Sequence, residues 1–373
     1  MNKTTKIILV IIGVIIVGLL IISNTAKKSS SISEQSVKIG TALAMTGDAG
    51  AWGEMEKKGI ELKLEELKAK GTNIEIVYED TKSTSEGTIS AVQKLISVDG
   101  VKYIIGPTWL DSYPGIQGII KDKDVLIITP SASATAIQQP EVFNNLFSVW
   151  YRTDALTNGL AEYASAHGSK KIAIVFQNDA YYADFINYFK KDAEKVGIEI
   201  VSTDLLNPGQ ADTKTLLTKL KAQNIDAILF GAYDEKLLSN FLRDQKNILP
   251  NIALYSNDAI RGYIQDPNYT KLLEGAMFVE NSNSSSTFSK KFNQKYSEKP
   301  NLSASSAYDT LGIFAELIAK EKTVSEMITM LKTKSFETES FGSITFDSFN
   351  GIVSKNKQYQ VQKITNGTTE QIY

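Results

Sequence analysis

VKIGTALAMTGDAGAWGEMEKKGIELKLEELKAKG occupies residues 37–71. Its reading decides the fold. Val37 to Leu43 is a short run rich in β-branched and apolar residues, which suits a strand. Ala44 to Gly53 is made of small, turn-forming residues. From Glu54 to Lys70 apolar residues recur every three or four positions, the period of an amphipathic helix, and Gly71 supplies a stop. Strand, small-residue loop and helix in this order form half of a βαβ unit.

The same unit repeats along the chain. Strand candidates follow at 74–80, 102–106, 125–129, 171–176, 198–203, 226–231 and 252–256. Most are near-continuous Val, Ile and Leu runs, as expected of strands covered on both faces. Helical patterns lie between them at 85–98, 180–196, 213–223 and 235–245. The alternation predicts an α/β fold with parallel sheets. It occurs as two series, 37 to about 150 and about 170 to 280, so two similar lobes are expected. The extended stretch 147–153 and the polar stretch NSNSSST after Glu280 read as crossovers between them. Helical patterns follow at 288–297, 303–320 and 323–333, and the tail reads as two short strands. The expected boundaries are 37–150 plus 283–345 for the first lobe and 151–282 plus 346–373 for the second.

Ligands of open parallel sheets bind beyond the carboxyl ends of the strands. The residues there are small hydroxyls, aromatics and a few carboxylates: Trp52, Trp109, Ser131, Ser133, Tyr181, Tyr233 and Asp258. Hydroxyls near a helix start suit a carboxylate, aromatics wall in an apolar or cationic part, and Asp258 suits an ammonium. Each also has a plain structural reading. Ser131 and Ser133 are natural caps, Trp52 a core anchor, Tyr181 and Tyr233 rim residues, and Asp258 a turn residue.

Much chemistry is excluded. The 373 residues contain no cysteine and one histidine, and the formal net charge is −2. Disulfides, thiol catalysis and cysteine-ligated metals drop out. No nucleophile elbow, phosphate loop or HExxH motif is present, so no catalytic residue, metal or cofactor is expected. His167 ends a helical pattern and reads as a C-terminal helix residue facing the macrodipole. No basic block of nucleic-acid type occurs.

The first residues differ from the rest. Lys3 and Lys6 precede an apolar run from Ile7 to Ile22, roughly 24 Å long as a helix. No convincing cleavage site follows, and no cysteine is available for lipidation. Residues 1–22 are therefore expected to be an uncleaved signal anchor, with a cleaved signal peptide as the alternative. Residues 23–36 are Ser-rich and read as a flexible linker. Both readings of the leader place the body outside the cytoplasm.

Over roughly residues 37–350 the chain resembles the type I periplasmic binding proteins of the branched-chain amino-acid transport class. The segments that carry the resemblance are residues 37–67, YIIGP, VLIITPSAS, the 147–153 stretch, KIAIVFQNDAYYADF, IDAILFGAYDEKLLSNFLRD and SSAYDTLG. The resemblance implies two Rossmann-like lobes joined by three crossovers, with a ligand cleft between them. Carried over position by position, it implies that Trp52, Tyr181 and Tyr233 are the cleft aromatics. Ser131 and Ser133 match the small hydroxyls that hold an amino acid, and Asp258 the acid that grips its ammonium. The loop after YIIG departs from the pattern, because Leu110 stands where the family has a key hydroxyl and Asp111 follows it. The implied ligand is accordingly a small polar solute, an amino acid or an amide-like compound. The implied role is that of a receptor for the membrane permease and ATPase of an ABC importer. A sensor acting through a partner protein is the alternative.

Overall fold

The computed structural model describes residues 36–108, 113–137, 143–210, 212–281, 285–320, 322–354 and 359–373. The Ile7–Ile22 run, the Ser-rich stretch 23–35, Trp109, Leu110, Asp111 and residues 282–284 of the second crossover lie outside the described residues. Among those described, no helix is long and apolar enough to cross a membrane.

Two sheets organise the chain. The first has five parallel strands in the order β2-β1-β3-β4-β5, namely Ile74–Asp80, Val37–Leu43, Tyr103–Ile105, Leu126–Thr129 and Leu146–Ser148. The second has the order β15-β14-β10-β9-β8-β6-β7. Its parallel part comprises β6 (Lys171–Gln177), β7 (Glu199–Leu206), β8 (Ala227–Gly231), β9 (Ala253–Asn257) and β10 (Met277–Asn281). β14 (Tyr359–Thr365) and β15 (Thr368–Gln371) extend it antiparallel. A small antiparallel sheet holds β11 (Phe336–Thr338), β12 (Gly342–Phe346) and β13 (Ile352–Ser354).

The helices follow the strands as the alternation predicts. The first series contributes α1 (Gly50–Ala69), α2 (Ser85–Ser97) and α3 (Tyr113–Ile120). The second contributes α4 (Thr153–Ala166), α5 (Ala180–Lys195), α6 (Lys214–Ala222) and α7 (Glu235–Ile248). α8 (Ser286–Tyr296), α9 (Leu302–Ile318) and α10 (Val324–Thr333) come after β10. The strand cores are saturated with apolar residues: all five residues of β8 and six of the seven in β6 are buried. That pattern belongs to central strands covered on both faces.

Several short elements escape the periodicity. β5 has three residues and α3 only eight, too few to show a period. The tail carries five strands rather than two, because β11, β13 and β15 are three or four residues long. His167 behaves as expected: it is the C-cap of α4, donates from Nδ1 to the Tyr163 carbonyl at 2.8 Å, and stacks on the Tyr163 ring.

Close helix packing sets the back of the first sheet. Gly59 of α1 faces α9 so tightly that a Cβ there would stand 1.9 Å from the Ala304 carbonyl oxygen. Gly53, one helical turn and a half earlier, faces the Ala44 carbonyl at 2.1 Å in the same sense. α1 is thereby pressed against the end of β1, and its second turn points beneath the strand-end loops.

Candidate ligand-binding site

The site is built on loops at the carboxyl ends of both parallel sheets. On the first sheet, Trp52 and Glu56 stand on one face of α1, four residues apart. Glu56 is fully buried. Its Oε2 accepts from Thr108 Oγ1 at 2.7 Å, and its Oε1 accepts from Ser131 Oγ. Thr108 Oγ1 also accepts from the Ala44 amide at 2.9 Å, and Ser131 Oγ reaches the Thr108 carbonyl at 2.9 Å. One carboxyl thus ties together the loops after β1, β3 and β4. Burial pushes Glu56 up to about 7, and the Ser131 and Thr108 hydroxyls pull in the opposite direction.

Ser133 is the N-cap of a 3₁₀ turn over Ala134–Ala136. Its Oγ accepts from the amides of Thr135 and Thr153, each at 3.3 Å. The capping reading of Ser133 therefore describes its bonds, while Ser131 serves Glu56 rather than a helix. Thr135 continues the chain of hydroxyls: its Oγ1 donates to Asp184 Oδ2 at 2.7 Å and approaches Thr153 Oγ1 at 3.3 Å. Asp184 lies on α5 beside the second sheet. Burial raises its pKa against the pull of the Thr135 and Thr153 hydroxyls.

The first crossover supplies the aromatic floor. Trp150 meets Trp52 edge-on at 6.2 Å and Tyr151 at 4.7 Å. Trp52 Nε1 is buried with no hydrogen-bond partner among the described residues. Tyr151 donates its hydroxyl to Asp258 Oδ2 at 3.2 Å, so the crossover touches the end of β9. Asp258 opens the 3₁₀ turn Asp258–Tyr263. Burial pushes its carboxyl up to about 6, and Glu280 adds to the rise. Arg261 is committed to Glu280 through two bonds, one of them 2.6 Å, and Gln360 binds Glu280 at 2.9 Å. Arg152 is likewise engaged, by Asp154 and Asp347.

Tyr181 stands in the first turn of α5, and its side chain lies outside what the structure describes. Its neighbour Tyr182 is fully buried, stacked on Tyr233 at 5.6 Å and tilted against Phe176 at 4.7 Å. Burial raises the Tyr182 phenol, and the nearby Asp258 carboxylate raises it further. Tyr233 is 47% exposed and hydrogen-bonds Asp179 through its hydroxyl.

Trp52, Ser131, Ser133 and Asp258 thus occupy connected positions, with Tyr233 joined to them through Tyr182. Glu56, Thr135, Tyr151, Tyr182 and Asp184 were missed. Tyr182 had a signal in the sequence: Tyr182, Phe185, Ile186, Phe189 and Ala193 repeat at helical spacing and are all buried. Glu56 had none, since a glutamate within EMEKKG reads as a solvated helix face. No group of carboxylates and histidines fit to hold a metal ion exists among the described residues.

A model of the periplasmic binding protein family matches residues 36–368. The chain belongs to that family. Among curated relatives it is 28% identical, over 218 residues, to the leucine-, isoleucine-, valine-, threonine- and alanine-binding protein of Pseudomonas aeruginosa, a match covering 56% of this chain and 57% of the relative. The chain thus spans somewhat under two thirds of the length of such relatives. Among solved structures it is similar to the branched-chain amino-acid transporter substrate-binding protein of Streptococcus pneumoniae in complex with isoleucine, with a TM-score of 0.74, 23% identity and coverage of 90% and 98% of the two chains. A solute-binding protein of an ABC transporter from R. palustris, in complex with benzoate, gives a TM-score of 0.74 at 18% identity, covering 90% and 95%. The fold of this binding protein is therefore the type I periplasmic arrangement.

Proposed function

We propose that this binding protein is the extracytoplasmic receptor of an ABC importer and captures a small polar solute, an amino acid or an amide-like compound, by closure of two lobes. The first lobe comprises 37–150 and 283–345, the second 151–282 and 346–373. The observation that carries the reading is the meeting of strand-end loops from the two sheets: Thr135 bonds Asp184 and Tyr151 bonds Asp258. Side chains from both lobes thereby surround one region, which suits a ligand held between them. Trp52, Ser131, Ser133, Tyr181, Tyr233 and Asp258 are the proposed contacts, with Trp109 as a further wall.

Closure turns on the crossovers near Trp150–Arg152 and residues 281–284. The bonding at the first crossover supports this. The Arg152 guanidinium bridges to Asp347, and Ser148 N donates to the Asn350 carbonyl at 2.9 Å, so two chain passages are clamped side by side. The Ile7–Ile22 run, as a signal anchor with a Ser-rich leash, keeps the receptor beside its permease and ATPase. The function is binding, with no turnover of the solute.

Calorimetric titration of the full chain in detergent against amino acids, amides and amines tests the proposal. Saturable binding of one class, weakened at least tenfold by Trp52→Ala, is expected. A folded chain that binds none of these solutes sinks it.

A further inference from the structure

Glu56 meets two hydroxyls, and a count of their hydrogens bears on its protonation. A serine or threonine hydroxyl carries one hydrogen and accepts others. Thr108 Oγ1 accepts from the Ala44 amide at 2.9 Å, so its own hydrogen goes to Glu56 Oε2 at 2.7 Å. Ser131 Oγ is placed differently. It lies against two acceptors, Glu56 Oε1 and the Thr108 carbonyl oxygen, the latter at 2.9 Å. Two contacts between oxygens need two hydrogens, and Ser131 has one. Thr129 does not supply the second, because its Oγ1 donates to the Pro107 carbonyl at 2.6 Å. With Glu56 as a carboxylate, one pair of oxygens faces each other without a hydrogen. With a hydrogen on Glu56 Oε1 the set closes as a ring: Glu56 donates to Ser131, Ser131 to the Thr108 carbonyl, and Thr108 Oγ1 to Glu56 Oε2.

The surroundings agree. Glu56 is fully buried, and no cation pairs with it among the described residues. On α1, Glu54 and Glu298 hold Lys58, and Lys57 lies over the Tyr78 ring. Asp48, in the loop after β1, is exposed. Asp80, at the end of β2, accepts from the Met45 and Thr46 amides, and Asp309 of α9 from those of Glu339 and Ser340. The described parts of the loops after β3 and β4 carry no charged residue. Burial pushes Glu56 up to about 7, with the two hydroxyls opposing it.

We propose that Glu56 is a positioning residue that works as a neutral acid: its Oε1 hydrogen closes a ring through Ser131 and Thr108 that holds the loops after β1, β3 and β4, and loss of that hydrogen at raised pH releases them. Ionisation breaks the ring at Ser131 and leaves an unpaired charge in a buried place. Trp52 stands one turn earlier on the same face of α1. Trp52 and Ser131 are both proposed solute contacts, so capture weakens as the pH rises. That consequence rests on the solute-receptor reading, whereas the ring stands on the bonding alone.

The experiment uses the full chain in a neutral detergent and no solute, so the ring and the receptor reading fail separately. Infrared spectra are recorded from pH 6 to pH 9 on the unsubstituted protein, Glu56→Gln and Ser131→Ala. The unsubstituted protein is expected to show at pH 6 a carboxylic-acid carbonyl band that fades toward pH 9 and is missing from Glu56→Gln. The buried acids Asp258 and Asp309 contribute to both proteins and cancel in the difference. Ser131→Ala is expected to shift the band, since the acid hydrogen loses its acceptor; this arm decides by itself if Glu56→Gln does not fold. Amide exchange is then compared at pH 8. Relative to β6 and β8, segments 44–56, 103–108 and 126–135 are expected to exchange about tenfold faster in the unsubstituted protein than in Glu56→Gln, whose amide keeps a donor for Ser131. Absence of a Glu56 acid band at pH 6, or a band that Ser131→Ala leaves in place, overturns the inference. So does exchange that is equal in the two proteins or faster over both sheets alike, which marks a global loss of stability rather than release of the loops.

Discussion

Glu56 is held by two hydroxyls, and burial pushes its pKa from 4.5 to about 7. The native state therefore binds a proton over a range of pH where the unfolded chain has released it. Below about 4.5 both states are protonated and the burial of this carboxyl adds no electrostatic burden. As the pH rises through that window to about 7, stability falls, by an amount on the order of 3 kcal/mol from this group alone. Glu56→Gln keeps the acceptor oxygen and removes the titration. Its stability relative to the unsubstituted protein is expected to improve between pH 5 and pH 8. Urea unfolding midpoints at those two pH values check this, and a pH-independent difference would show that Glu56 is ionised at no cost. Asp258 is raised for a related reason, burial reinforced by Glu280, yet the sequence placed it correctly because it follows a strand directly. Glu56 was invisible because its burial depends on Thr108 and Ser131, which are 52 and 75 residues away.

At the scale of elements, α1 and α9 are joined by a contact in which glycine is required for space and not for backbone conformation. An alanine methyl at Gly59 would collide with the Ala304 carbonyl, a backbone atom that cannot rotate away. Gly59→Ala is expected to destabilise the fold by about 1–3 kcal/mol despite the better helix propensity of alanine. A lowered midpoint in thermal unfolding is the readout, and an unchanged or raised midpoint would mean that the two helices separate freely. The long elements were legible for a simple reason. β6 and β8 are near-continuous apolar runs buried on both faces, β1 is buried from Ile39 to Leu43, and α5 and α7 each show a clear apolar stripe. The short ones were not, since β5 and β11 draw their order from neighbouring strands. β5, for example, is held by pairing of Phe147 with Ile128 and of Ser148 with Thr129.

For the whole molecule, two polar bonds join loops of the two sheets among the described residues, Thr135 to Asp184 and Tyr151 to Asp258, and they bear on the proposed closure. Asp184→Ala removes the first and leaves both sheet cores intact. The ligand-free protein is expected to shift toward a more open arrangement, seen as a larger radius of gyration in solution scattering, with the unfolding midpoint little changed. A radius equal to that of the unsubstituted protein would show that this bond does not bias the lobes. A solute that bridges the loops would act in the reverse direction and compact the protein, since it stabilises whichever arrangement lets it touch both walls.

The sequence by itself determined the α/β class, the alternation of strands and helices, and which residues stand at the strand ends. These follow from local periodicity, which needs no partner elsewhere in the chain. Tertiary structure alone decided what those positions offer. Ser131 and Ser133 read equally as ligand hydroxyls and as caps; the structure bonds Ser131 to Glu56 and makes Ser133 a cap that accepts from the Thr135 and Thr153 amides. Tyr182 is turned inward by the phase of α5 and stacks on Tyr233. Whether a hydroxyl is available or a carboxyl is buried depends on groups brought together from distant segments. Periodicity along one segment carries no information about that.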